Sequence, residues 1–190
     1  MGFSGSDRHS GRHADKVVLV TGAGSGIGRV TALRFAQEGA RSVHLVDHFQ
    51  ERLDSVADEV SAFGAATVTI LAELSRIEEC GRAVRHAVSE AGRLDVVVSN
   101  AAAWTQEPFL EMQDESWLKV IAVNLTASFV VGQRTARAMV EAAAMPHSSR
   151  SYVTHRGRGY SLTRGSMATY SRSTIRKTST EKTPATTTNA

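Results

Sequence analysis

From Thr21 to Gly28 the chain reads Thr-Gly-Ala-Gly-Ser-Gly-Ile-Gly, with a glycine at every second position from Gly22 onward. Such a loop is suited to holding a diphosphate. Where a chain turns sharply and must approach a pyrophosphate, a Cβ obstructs it, and a helix that follows presents free N–H groups and its positive dipole end to the anion. A tight glycine turn without a ligand uses the same residues, so the surroundings decide. Asp47 stands nineteen residues after Gly28, at the end of the next apolar run. A carboxylate there accepts hydrogen bonds from an adenosine ribose and repels a 2′-phosphate, which favours NAD over NADP. A plain surface carboxylate is the competing reading of Asp47. On this basis Thr21, Gly22, Gly24, Ser25, Gly26, Ile27, Gly28 and Asp47 are the candidate cofactor-binding residues.

Two alternating periodicities mark the elements that must hold this loop. Residues 16–21 are a short β-branched run ending in glycines, the pattern of a buried parallel strand. Residues 27–37 carry Val30, Leu33, Phe35 and Ala36 at helical spacing and stop at Gly39. Strands are predicted at 42–46, 67–71 and 94–98, and helices at 50–63 and 76–91, the latter ended by Gly92. A long helix is predicted from Ser116 to about Ala144, with Trp117, Val120, Ile121, Leu125, Ser128 and Phe129 near one side. Asn124 falls on that apolar side, where an unpaired amide costs roughly 1–3 kcal/mol. The order implies an α/β fold: a doubly wound parallel sheet with helices on both faces and ligand sites beyond the strand C-termini.

Composition narrows the alternatives. The 190 residues are 42% hydrophobic and 22% charged, which suits one soluble globular domain. No apolar run reaches the eighteen or so residues of a membrane helix, and residues 1–16 lack the hydrophobic centre of a secretory signal. A cytoplasmic location without a membrane partner is expected. Cys80 stands alone, so neither an internal disulfide nor a zinc cluster is expected, and the seven histidines form no ligand cluster in the sequence. The net charge of +3 hides an asymmetry: residues 146–190 carry +7 and leave −4 for residues 1–145. Those last 45 residues hold eighteen Ser or Thr and four of the Ile, Leu, Val, Met and Phe set, too few to build much core. Their charge is little interleaved with aromatics, only Tyr152, Tyr160 and Tyr170, so a solvated tail is preferred over a nucleic-acid partner. The resulting division is a polar leader at 1–15, a core at 16–145 that carries the glycine loop, a basic polar segment at 146–175 and a Thr-rich disordered tail at 176–190. Trp104 and Met112, beyond the fourth strand, border either a substrate pocket or ordinary loop packing.

With these residues in view, the sequence resembles the short-chain dehydrogenase/reductase family, whose TGxxxGIG loop it matches literally from Thr21 to Gly28. Gly92 to Ala102 is similar to the family's GxxD…NNAG stretch, with Ser99 and Ala102 departing from it. The resemblance implies a Rossmann-type sheet, incomplete at its C-terminal side. It also implies cofactor contacts at Asn100, Ala101 and Ala102, and at Glu73 and Leu74, where relatives usually place an aspartate beside the adenine. Asn124 resembles the asparagine that holds a water in the family's proton relay. The implied activity is NAD(P)-dependent hydride transfer with a small alcohol or carbonyl substrate. The family's homo-oligomer is put in doubt by the altered C-terminal third. The resemblance runs from residue 16 to about 144.

In the family a tyrosine moves the proton. A phenol with pKa near 10 is a poor base at neutral pH, and a lysine four residues on, together with a serine near the substrate oxygen, makes it effective. Gly165 to Ser171 resembles the stretch leading into that tyrosine, which makes Tyr170 the candidate. Four residues later stands Thr174, a neutral hydroxyl; Lys177 lies two helical turns on, about 10.5 Å along an ideal helix. Tyr160 and Arg164 offer a four-residue spacing without the motif. The serine role is open between Ser151 and Thr154, on a short fifth strand expected at 151–154. Two readings therefore stand: an oxidoreductase, or a nucleotide-binding chain without turnover. An alteration or truncation after about Ala144, such as a reading-frame change, is the simple account of the C-terminal third.

Overall fold

The computed structural model describes residues 11–144, 151–155 and 158–162. Five parallel strands form most of one sheet: Val17–Thr21 (β1), Ser42–Asp47 (β2), Ala66–Leu71 (β3), Val96–Ser99 (β4) and Ser151–His155 (β5). Their order is β3-β2-β1-β4-β5, and Arg158–Leu162 (β6) closes the edge antiparallel to β5. Chain direction across the sheet reverses at β1, which has β2 on one side and β4 on the other, so a crevice opens beyond the C-terminal ends of β1 and β4.

All five residues of β1 are buried because side chains alternate between two covered faces. Val18 and Val20 join Val43, Leu45 and Val96 under helices Gly26–Gln37 (α1) and Gln50–Ser61 (α2). Val17 and Leu19 join Val46, Ile70 and Val97 under Ile77–Ala91 (α3) and the long C-terminal helix. The buried Cys80, Ala83, Val84 and Ala87 give α3 its inner stripe, and Gly92 ends it in a left-handed conformation at φ 73°. The leader turn docks on the end of α1, where the His13 N–H donates to the Glu38 carbonyl at 3.0 Å.

The predicted long helix is interrupted. It comprises Asp114–Ile121 (α4), a π-helical segment Ala122–Ala127, and Ser128–Ala144 (α5). The expected apolar side is corrected with it: Trp117, Leu125 and Phe129 are exposed, while Val123, Ala127, Val130, Val131 and Met139 are buried. A wider turn moves the inward stripe, and close packing on the sheet selects small residues where spacing alone selects large ones. At the sheet edge β5 coincides with the expected fifth strand, whereas β6 was not anticipated. Tyr160 lies in β6, an extended strand, so the helical spacing proposed with Arg164 is not made there; Arg164 itself is outside the described residues. Among the described residues no helix is long and apolar enough to cross a membrane. No group of three or more His, Cys, Asp or Glu there is placed to hold a metal ion.

Candidate functional site

The crevice is a cleft of about 680 Å³ whose floor is the glycine loop. Gly22 leaves β1 at φ +65°, and a Cβ on it would lie 2.9 Å from the Ala101 Cα. A Cβ on Gly28 would overlap the Gly22 carbonyl oxygen and sit 2.7 Å from Asn100 Nδ2. These two absences let α1 begin directly against the β1 and β4 exits. Ser25, the N-cap of α1, makes no side-chain cap bond, and the first turn holds no acidic residue. The leading N–H groups of α1 are therefore left without a side-chain cap, in keeping with an anion above them.

Thr21 and Asn100 tie the two strand exits together. Thr21 Oγ1 accepts the N–H groups of Asn100 at 3.0 Å and Ala101 at 3.1 Å. Asn100 Nδ2 donates to the carbonyls of Thr21 at 3.2 Å and Gly22 at 3.4 Å. Asp47, buried at the end of β2, accepts from Gly24 N–H at 3.0 Å through Oδ2 and from His48 and Phe49 N–H at 2.8 and 3.2 Å through Oδ1. The Arg52 guanidinium lies over the Phe49 ring, 4.2 Å from its centroid.

Farther along the cleft, Glu73 accepts the Ser75 N–H at 3.1 Å. Burial works against its ionisation, but the Ser75 hydrogen bonds and the charges of His48 and Lys119 outweigh that and hold the carboxyl below its ordinary range. Leu74 is buried beside it and also lines the cleft. Asn124 lies in the π-helical segment with both ends of its amide engaged: Oδ1 accepts the Ala103 N–H at 2.7 Å and Nδ2 donates to the Ala103 carbonyl at 2.9 Å. Its side chain thus anchors the loop after β4. Glu107 anchors that loop's other end, accepting from Ser116 Oγ at 2.5 Å and Gln113 N–H at 2.9 Å.

Of the residues singled out from sequence, Gly22, Ser25, Gly26, Ile27, Asp47, Glu73, Leu74, Asn100, Ala101 and Ala102 line the cleft. Thr21, Gly24, Gly28 and Asn124 support it from behind through the contacts above. Trp104 lines it, while Met112 does not. His48, Arg52, Lys119 and Ser116 also line it and carried no recognised motif; a polar residue shortly after Asp47 was the available signal for the first two. On β5 the register pairs Tyr152 with Val96 and His155 with Ser99. Ser151 consequently stands at the end of the sheet away from the cleft, and Thr154, opposite Val98, stands near the cleft end. Tyr170, Thr174 and Lys177 lie outside the described residues.

A family profile described as short chain dehydrogenase matches residues 16–145. A hydroxynaphthalene reductase-like protein of Metarhizium brunneum is 37% identical over 120 residues, covering 63% of this chain and 45% of that protein. The L-rhamnose 1-dehydrogenase (NAD(P)(+)) of Azotobacter vinelandii is 37% identical over 130 residues, covering 67% and 51%. Among solved structures, a metagenomic short-chain oxidoreductase in complex with NADP superposes with a TM-score of 0.67 at 30% identity, covering 75% of this chain and 62% of that one. The chain spans about half the length of the curated relatives it matches.

Proposed function

Because the chain belongs to the short-chain dehydrogenase family over residues 16–145, we propose that its cleft binds a nicotinamide dinucleotide and that the protein is an oxidoreductase of alcohols and ketones. One observation carries the reading. The glycine loop, the uncapped start of α1 and the carboxylate of Asp47 converge at the point where the strand order reverses. Ser25, Gly26 and Ile27 would hold the diphosphate, with Gly24 bracing Asp47 behind them, Asp47 would hold the adenosine ribose, and Glu73 and Leu74 the adenine side. Asn100, Ala101 and Ala102 border the other half of the cleft. The Asp47 carboxylate, set against a 2′-phosphate, favours NAD.

The nicotinamide, when bound, accepts or supplies the hydride. This chain's own part is orientation and proton movement. Asn124 holds Ala103 and so keeps the cleft wall in register. Tyr170 Oη is the group assigned to give or take the proton at the substrate oxygen, with Lys177 as the candidate cation and Thr154 or Ser151 as the orienting hydroxyl. The β5 register favours Thr154. Relatives named as a reductase and as a dehydrogenase support a redox role. The small-molecule substrate is the partner in this reading; nucleic acid and membrane take no part.

A second reading, binding without turnover, is favoured by Thr174, which stands four residues after Tyr170 where the family has a lysine. Fluorescence titration of folded protein with NADH, followed by turnover against a panel of carbonyl compounds, tests both. Binding with turnover is the expected result. Binding without turnover selects the second reading, and the absence of any binding at millimolar NADH removes both. If the remaining site is assembled, Thr174→Lys raises turnover without changing the cleft described above.

A further inference from the structure

We propose that the pocket where the leader turn meets the end of α1 is an anion site separate from the cleft, and that it holds the phosphate of a small monoester between Arg12 and Arg34. The inference is independent of the dinucleotide reading. α1 has 12 residues, so this pocket lies about 18 Å along the helix from the glycine loop. It encloses about 320 Å³ against Arg12 and His13 of the leader and Val30, Arg34, Phe35 and Glu38 of the helix and its cap. That volume is near the lower end for ligand pockets and suits a phosphate carrying one ring.

The group at its centre is Glu38, whose side chain is only 7% exposed. Its Oε1 accepts the Arg34 Nε–H at 2.6 Å, and its Oε2 lies 3.2 Å from His13 Nε2 and 3.9 Å from Arg12 Nε. Each guanidinium therefore turns its Nε edge to the carboxylate. Among the described residues their terminal Nη groups have no partner, and the two side chains are 60% and 52% exposed. Two guanidiniums against one carboxylate leave an excess of positive charge, with His13, its pKa lowered chiefly by burial, uncharged near pH 7. A helix C-terminus ordinarily disfavours an anion. Here the carbonyls of Arg34, Phe35, Ala36 and Glu38 accept the N–H groups of Glu38, Ala40, Gly39 and His13, each at 3.0 Å, so main-chain donors meet the negative end of the dipole. A planar guanidinium fork matches a phosphate with two parallel hydrogen bonds, and the buried carboxylate between the forks presets both. The exposed Val30, and Phe35 tilted against the His13 ring at 4.5 Å, give the carbon part of the monoester an apolar wall. An anion gripped by Arg12 and Arg34 together fastens the leader to α1.

Calorimetric titration of the full chain with phenyl phosphate, inorganic phosphate and phenol, each with and without NADH, tests the site in the wild type and in Arg12→Gln and Arg34→Gln. Phenyl phosphate should bind the wild type with a dissociation constant below about 1 mM at low salt, about tenfold more tightly than inorganic phosphate, while phenol gives no heat. Each variant should weaken phenyl phosphate at least about tenfold, and NADH should leave its binding unchanged. Arg34→Lys, which keeps the charge and loses the fork, should fall between Arg34→Gln and the wild type. In the wild type phenyl phosphate should slow hydrogen exchange at the His13, Ala14 and Lys16 amides, and Arg12→Gln should abolish that protection. Heat that NADH removes and both glutamine variants retain would place the anion at the glycine loop and overturn the inference while supporting the dinucleotide reading. Equal affinity for phenyl phosphate and inorganic phosphate would overturn it, as would binding without leader protection, or no heat from either phosphate.

Discussion

A missing side chain is the most demanding feature of the cleft at residue scale. Gly28 allows the first turn of α1 to press against the Gly22 carbonyl, and the overlap a methyl would create involves main chain, which cannot rotate away. Gly28→Ala should therefore cost on the order of 3 kcal/mol, the upper end of overpacking, and abolish NADH binding. Ser25 offers the contrast. An N-cap hydroxyl usually contributes about 1 kcal/mol, but this one makes no cap bond, so Ser25→Ala should cost less than about 0.5 kcal/mol. Urea unfolding of the two variants side by side measures the difference; similar losses would show that the loop tolerates Gly28→Ala by rearranging. The same scale explains why Asp47 was readable before Arg52. A carboxylate at the end of a strand is marked by position, whereas Arg52 gains its meaning only from the turn that carries the chain from Asp47 into α2.

Among elements, the π-helical segment Ala122–Ala127 links packing to the site. Its wider turn brings Val123 and Ala127 inward while Asn124 reaches Ala103 with both ends of its amide. Asn124→Ala leaves both Ala103 main-chain groups without these partners and should cost about 1–2 kcal/mol. Because Ala103 lines the cleft, NADH affinity should fall as well. Hydrogen exchange confined to the loop after β4, with little change in β1, is the accompanying signature; unchanged exchange there would refute the anchoring role. The strands and the first three helices were legible because burial on both faces makes aliphatic runs, and because α2 and α3 keep one inward stripe. The π segment was not, since a changed turn leaves no mark in residue type and shifts the inward stripe by about one position. The large residues Leu125 and Phe129 accordingly pointed to the wrong side. The strand β6 was missed for a different reason: it pairs through main chain along a stretch poor in aliphatics, where hydrophobic alternation gives no signal.

Across the whole molecule, the two covered faces of the sheet meet a requirement that His44 does not share. Val43 and Leu45 pack under α1 and α2, so alternation along β2 sends His44 with Val46 to the α3 side. There it is fully buried, with neither ring nitrogen hydrogen-bonded among the described residues. Burial first, and then the positive neighbours His86 and Arg41, push its pKa down from 6.5 to about 4. The unfolded chain thus binds a proton at a pH where the folded chain does not. Stability is held above about pH 6.5 and lost as the pH falls toward 4, by about 2–3 kcal/mol over that window. His13, also lowered by burial against the pull of Glu38, adds in the same direction. Glu73 and Glu107, held low chiefly by hydrogen bonds, lose their contributions at still lower pH. Thermal or urea unfolding between pH 6.5 and 4.5 consequently isolates the histidines. His44→Leu should flatten most of the slope in that interval and raise stability at its acid end, because it removes two unpartnered nitrogens from the core. A slope unchanged from wild type would mean that His44 finds a partner or water in solution, and that the acid sensitivity of this sheet originates elsewhere.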